Sequence, residues 1–306
     1  MLKINRLQIK NPDDFNLEQI FECGQCFRWD RESDGSYTGV VSFFANNKLK
    51  NIVANVRQVK DALIIESSVE DESFSTDLKW DAKKFWEEYF DFDTNYGEIK
   101  AAFIKRDKRM KEIIEHGKGI RILNQNKWEM LISFIISQNN HIPRIKSCIE
   151  TLCKIYGKDL GEFRGLIRYG FPEPEVLANL SLEEFDICKL GYRNSYILES
   201  AKQIIEVGME SYLEMELLPE AKAREILKTF KGVGNKVANC ILLFGFKKRK
   251  SFPVDVHIKR IMEEIYGVKG EKEINVFVAE NFGEYGGIAQ QYLFYFNRER
   301  TKDVIQ

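Results

Sequence analysis

The sequence predicts an α+β protein: an N-terminal antiparallel β-sheet with helices, followed by an all-helical region built round a helical hairpin. Three observations carry this. Residues up to about 76 alternate apolar and polar positions between turn signals, as in DALIIES and DGSYTGVVSFFANN. Helical periods dominate from residue 81 onward, beginning with amphipathic stretches at 81–90 and 97–114. Between Ala221 and Glu264, two helical stretches are joined by KGVGNK and followed by PVDVH and a third helix. The expected division is 1–122 and 123–306, with the hairpin at 221–246.

At 306 residues the chain is long enough for two or three packed units. Its 44% hydrophobic and 30% charged residues describe an ordinary globular protein, and no run of 18 apolar residues suggests a membrane span. MLKINRLQIKNPDDF lacks an apolar signal core, so a cytoplasmic protein is expected rather than an exported one. Six cysteines scattered at 23, 26, 148, 153, 188 and 240 fit reduced thiols better than a disulfide framework. The net charge of −1 means that any nucleic-acid contact has to be local. The run Lys247-Lys248-Arg249-Lys250, with Lys259 and Arg260 beyond it, is one such patch or simply a solvated loop.

In the N-terminal part, Phe21-Glu-Cys-Gly-Gln-Cys-Phe-Arg-Trp29 stands out. Its Cys-x-x-Cys lacks a second ligand pair and sits among strand signals, which disfavours metal and redox readings. Asn124-Gln-Asn-Lys-Trp-Glu offers caps for a buried helix, MLISFIISQ, and Gln138-Asn-Asn-His-Ile-Pro-Arg144 follows it. Phe171-Pro-Glu-Pro marks a turn. Gly191-Tyr-Arg193 then breaks two helical stretches. Near the C-terminus Gln290 and Phe294, four apart, share a helix face.

The hairpin carries the chemistry. Gly232 and Gly234 supply unusual backbone angles, and a hairpin that opens into a helix points unpaired N–H groups at an anion such as a DNA phosphate. Lys236 opens the second helix, where the dipole disfavours its ammonium form; in a dry site its amine is a nucleophile. Cys240 lies one turn on, on the same face. Asp255 is placed to cap the next helix with its carboxylate toward the hairpin. The alternative is that Lys236 is only a phosphate contact and Asp255 only a cap.

GVGNKVANC followed by PVDVH resembles the helix-hairpin-helix-GPD superfamily of DNA glycosylases, and most closely its 8-oxoguanine DNA glycosylase/AP lyase branch. The resemblance covers almost the whole chain. It implies a TBP-like N-terminal sheet with helices and an all-α glycosylase region, no cofactor, and a monomer acting on double-stranded DNA containing 8-oxoguanine. Such a protein would be nucleoid-associated in a prokaryote and nuclear in a eukaryote. Lys236 is implied to attack C1′ of the lesion nucleoside with Asp255 assisting. Gly24 is implied to accept from N7–H of the oxidised base, Cys240 and Phe294 to flank it, and Gln290 to read its pairing edge. Asn139, Arg144 and Arg193 are implied to meet the estranged cytosine, and Tyr192 to wedge into the stack. Gly232, Gly234, Val237 and His257 are implied to hold the DNA backbone. Asn297 stands where animal members carry an aspartate, and Phe244 replaces a methionine; both changes leave Lys236 and Asp255 intact. No four-cysteine cluster follows the hairpin, so an iron–sulfur cluster is not expected. Enzymes for alkylated bases generally lack the hairpin lysine, and a mere DNA-binding module has no need of Lys236, Asp255, Gln290 and Phe294 together.

Overall fold

A computed structural model describes residues 2–45, 48–68 and 81–303, with side chains described as far as Arg300. The strand-rich pattern read over 69–76, and Asn46 and Asn47, lie outside the described residues. Five strands, β1 (Ile4–Lys10), β2 (Trp29–Arg31), β3 (Tyr37–Ala45), β4 (Lys48–Val59) and β5 (Ala62–Ser68), form one antiparallel sheet in the order β1-β5-β4-β3-β2. The alternation read from Val59 onward belongs to two strands rather than one. Lys60, at φ 52°, and Asp61 make a two-residue turn, so Val59 pairs with Ala62.

A short helix, α1 (Leu17–Glu22), interrupts the region read as strands and turns; Asn16 caps it by accepting from the Gln19 N–H. Six residues are too few for a helical period to register in the sequence. Together with α2 (Ala82–Tyr89) it covers one sheet face. There Phe21 stacks on Trp29 at 4.4 Å between centroids, and Trp86, Tyr89 and Phe90 fill the rest. The opposite face is covered by a hairpin the sequence analysis did not expect in a helical region: β6 (Asp159–Phe163) and β7 (Leu166–Tyr169). Leu160 and Phe163 pack on Val40 and Val53 of the sheet. That burial lies more than a hundred residues away along the chain. The local signal was only the Arg164-Gly165 turn, whose φ values are 52° and 78°.

Residues 97–114, read as one helix, form two: α3 (Tyr96–Arg106) and α4 (Met110–His116). Asp107 leaves helical geometry and its carboxylate accepts from the Arg109 N–H at 3.0 Å, which ends the first. The link to the helical region is extended, and Gln25 fastens it. The Gln25 amide donates to the carbonyls of Ile20 and Arg121, at 2.9 and 2.8 Å, and accepts from the Leu123 N–H at 2.8 Å. The proposed boundary at 122 falls in this link. The helices that follow are α5 (Lys127–Ile136), capped by Asn126 and buried at every position after Lys127, and α6 (Ile142–Tyr156). Next come α7 (Pro174–Ala178), α8 (Arg193–Val207), α9 (Met209–Glu214), α10 (Glu220–Leu227) and α11 (Asn235–Gly245). The last three are α12 (Val256–Tyr266), α13 (Glu271–Asn281) and α14 (Gly286–Asp303). One apolar cluster holds them, and Cys23, Phe27 and Leu49 of the N-terminal part belong to it.

All six thiols are free and buried. Burial pushes the Cys23 thiol up to about 12, and Cys26 is also raised by it, so both stay protonated near neutrality. Among the described residues, no group of three or more His, Cys, Asp or Glu is arranged to hold a metal ion. Nor is any helix among them long and apolar enough to cross a membrane.

Candidate active site

The hairpin between α10 and α11 is shaped by Gly232, at φ 80°. A Cβ there would sit 2.2 Å from the Tyr196 ring, so the site needs glycine for its backbone angle and for the flush contact with α8. Gly234 differs from the expectation. Its φ of −93° and ψ of −176° are extended backbone open to any residue, and nothing lies within 4 Å of an added Cβ. It caps α11 without a side chain, which leaves that helix opening onto solvent with bare N–H groups. Val237 buries its side chain, so only its backbone is available there.

Lys236, half-buried, reaches over Phe134 with its Nζ 5.9 Å from the ring centroid, and Phe134 stacks on Phe244 at 5.3 Å. Phe134 was not anticipated: in MLISFIISQ it is one apolar residue among many. Burial pushes the Cys240 thiol up to about 11; the neighbouring Lys236, which hydrogen-bonds to it, draws it back, and the Asp255 carboxylate raises it further. One neutral thiol therefore lies within electrostatic reach of both the lysine and the acid. Asp255 caps α12 as expected, accepting from the Ile258 N–H at 2.8 Å.

Two of the base-recognition candidates, Gly24 and Phe294, meet each other. Gly24, at φ 82°, lies against Phe294: an added Cβ would be 3.3 Å from that ring and 3.5 Å from Ile142. His257 meets the same ring edge-on at 5.7 Å, and its buried Nδ1 has no hydrogen-bond partner among the described residues. Gln290 is buried one turn before Phe294, and its Oε1 accepts from Gln291 at 2.8 Å. Ile142 begins α6 directly behind Asn139-Asn140-His141, which brings that turn near Gly24.

Asn139 is exposed with φ 45°, and Arg144 is exposed with only a 3.5 Å contact to the Lys189 carbonyl. His141, to which the sequence analysis gave no role, caps α6 through Nδ1. Tyr192 stands 53% exposed, edge-on to Tyr196 at 5.6 Å, so a contiguous aromatic pair joins it to Gly232. Arg193 is placed otherwise than a base reader in open solvent. It is buried, stacks on Tyr192 at 4.5 Å and donates to the carbonyls of Gln138, Asn139 and Leu190.

Each residue of the basic run at 247–250 has a partner within the chain. Lys247 pairs with Glu88, Lys248 donates to the carbonyls of Glu216 and Leu218, Arg249 pairs with Asp91 at 3.1 Å, and Lys250 pairs with Glu284 at 2.8 Å. It also follows the far end of α11, about 15 Å from Lys236 at 1.5 Å per residue. Lys259 and Arg260 do stand exposed, on α12.

A lysine opening the second helix of a glycine hairpin, an acid capping the following helix and an N-terminal antiparallel sheet together define a helix-hairpin-helix DNA glycosylase. The chain belongs to the 8-oxoguanine DNA glycosylase family. The N-terminal domain of 8-oxoguanine DNA glycosylase matches residues 7–131, and the HhH-GPD superfamily of base excision DNA repair proteins matches residues 132–281. An N-glycosylase/DNA lyase of Arabidopsis thaliana is 29% identical over 96% of this chain and 80% of its own length. The structure of MBOgg1 in complex with a low-affinity DNA ligand is 38% identical, with a TM-score of 0.83 over 98% of this chain and 99% of that one. An 8-oxoguanine glycosylase/lyase of Clostridium acetobutylicum, in complex with double-stranded DNA containing cytosine opposite 8-oxoguanine, is 37% identical. Its TM-score is 0.82 over 98% of each chain.

Proposed function

We infer that the protein is a base-excision repair enzyme, a bifunctional DNA N-glycosylase and AP lyase that removes 8-oxoguanine from duplex DNA and nicks 3′ to the site. The observation that carries the residue assignment is the shared neighbourhood of Lys236, Cys240 and Asp255 at the mouth of a bare-backbone hairpin. Hairpin N–H groups at Gly234 to Val237 hold a phosphate, with His257 at the first turn of α12 beside them. The lesion nucleotide turns out of the stack, Tyr192 fills the gap, and Asn139, Arg144 and Arg193 meet the cytosine left behind. Arg193 does so after exchanging carbonyl partners in the 138–139 turn.

In the pocket the base lies between Cys240 and Phe294, Gln290 reads its pairing edge, and the Gly24 carbonyl accepts from N7–H. That proton is present in 8-oxoguanine and absent in guanine, so a single acceptor separates the two. The Lys236 amine bonds to C1′ as the bond from C1′ to the base breaks and the base leaves with the bonding electrons. Sugar-ring opening gives a Schiff base, and β-elimination releases the 3′ phosphate. Asp255 stabilises positive charge developing on the sugar and receives or orients the lysine proton. The enzyme acts as a monomer wherever the genome lies.

Borohydride trapping on a duplex with one 8-oxoguanine opposite cytosine tests the reading: a covalent adduct forms there and not with undamaged guanine. No adduct with the lesion removes the lyase mechanism. Gly24→Ala tests the recognition contact. Its positive φ costs an L residue about 1–2 kcal/mol, and the new methyl presses on Phe294. Single-turnover excision is expected to fall by about tenfold or more, the equivalent of 1.4 kcal/mol. Unchanged excision by a folded variant would remove Gly24 from the pocket.

A further inference from the structure

Three residues beyond Lys236, and immediately before Cys240, α11 carries a buried asparagine. Asparagine is a mediocre helix former, and inside a protein its amide needs partners on both sides. Asn239 has both. Its Oδ1 accepts from Arg224 Nε on α10 at 2.8 Å, and its Nδ2 donates to the Phe252 carbonyl at 3.2 Å. Glu220 holds the Arg224 guanidinium from one turn earlier. Phe252 is itself buried and leads directly into Pro253, Val254 and Asp255. The fixed φ of the proline leaves little slack between the anchored carbonyl and the carboxylate.

A single side chain therefore fastens the first hairpin helix, the helix of the lysine and the segment that delivers the acid. We propose that Asn239, oriented by Arg224, is a positioning residue that sets the separation of Lys236 and Asp255 and thereby governs base expulsion rather than DNA affinity. No other described hydrogen bond runs from the side chains of α11 to residues 252–255, so the link is specific. The inference rests on the roles given above to Lys236 and Asp255.

Removing a doubly bonded buried amide also costs stability, so lost activity alone decides nothing. The test is a double-mutant cycle, Asn239→Ala with Asp255→Asn, read by single-turnover excision on the 8-oxoguanine:cytosine duplex. In the wild-type background Asn239→Ala is expected to slow excision by about 10- to 100-fold, the cost of a displaced reacting group. Affinity for the lesion duplex should stay within about threefold, and on Asp255→Asn the same change should cost less than about threefold. Equal losses in both backgrounds, or a loss that follows DNA affinity, overturn the proposal. Should Asn239→Ala fail to fold, Arg224→Met leaves the amide in place and removes only the group that orients it. The same cycle with that variant then decides. A wild-type enzyme that does not excise 8-oxoguanine refutes the functional reading and this inference with it. Normal excision with independent losses refutes the inference alone.

Discussion

Lys236→Gln is expected to lower base excision by at least about three orders of magnitude and to abolish borohydride-trapped adduct, while leaving lesion binding in place. Glutamine keeps most of the length and the polarity of the side chain, but its amide nitrogen shares its lone pair with the carbonyl and is not a nucleophile for C1′. The half-buried position over Phe134 accommodates it, so thermal stability should change little. Binding should survive because the proposed phosphate contact is made by backbone N–H groups, which the substitution leaves alone. Excision kinetics, trapping and duplex affinity measured on one preparation separate these effects. A variant that excises at near the wild-type rate would move the nucleophile elsewhere.

The second large effect is at Asp255, where two substitutions separate two jobs. The carboxylate caps α12 through the Ile258 N–H, and it is also one of the charges acting on the Cys240 thiol beside Lys236. Asparagine retains the cap and discards the charge; alanine discards both. Asp255→Asn is therefore expected to cut single-turnover excision by about 10²- to 10³-fold with no change in melting temperature. Asp255→Ala should show the same loss of excision and melt about 2 °C lower, reflecting about 1 kcal/mol of lost capping. If Asp255→Asn excises normally and only Asp255→Ala is impaired, the residue is a cap and nothing more.

The residues behind both predictions were legible in the chain because their signals are local. Gly232 is required by a turn, Asp255 precedes a helix it caps, and Lys236 sits at a helix start that the adjoining glycines announce. The sheet was legible for the same reason: alternation in DALIIES follows from the two-residue period of a strand. Gly24, Gln290 and Phe294 were reached differently, through resemblance. Nothing in their own neighbourhoods says that a segment near residue 24 and a helix near 290 meet.

Where the sequence did not show a partner, that partner was remote. The β6–β7 hairpin forms because Leu160 and Phe163 cover Val40 and Val53. Glu88, Asp91 and Glu284, which pair with the run at 247–250, are brought to it from elsewhere in the chain. The carbonyls of the 138–139 turn that hold the Arg193 guanidinium are likewise far from it along the chain.

By itself, then, the sequence determined the order of sheet and helices, the hairpin, its lysine and the capping acid. Each of these depends on backbone preferences within a few residues. Only the tertiary structure decided which charges are already neutralised, which aromatic ring underlies the lysine and which buried amide ties the acid's loop to the lysine's helix. Burial and charge pairing depend on neighbours in space, and folding chooses those neighbours from across the whole chain.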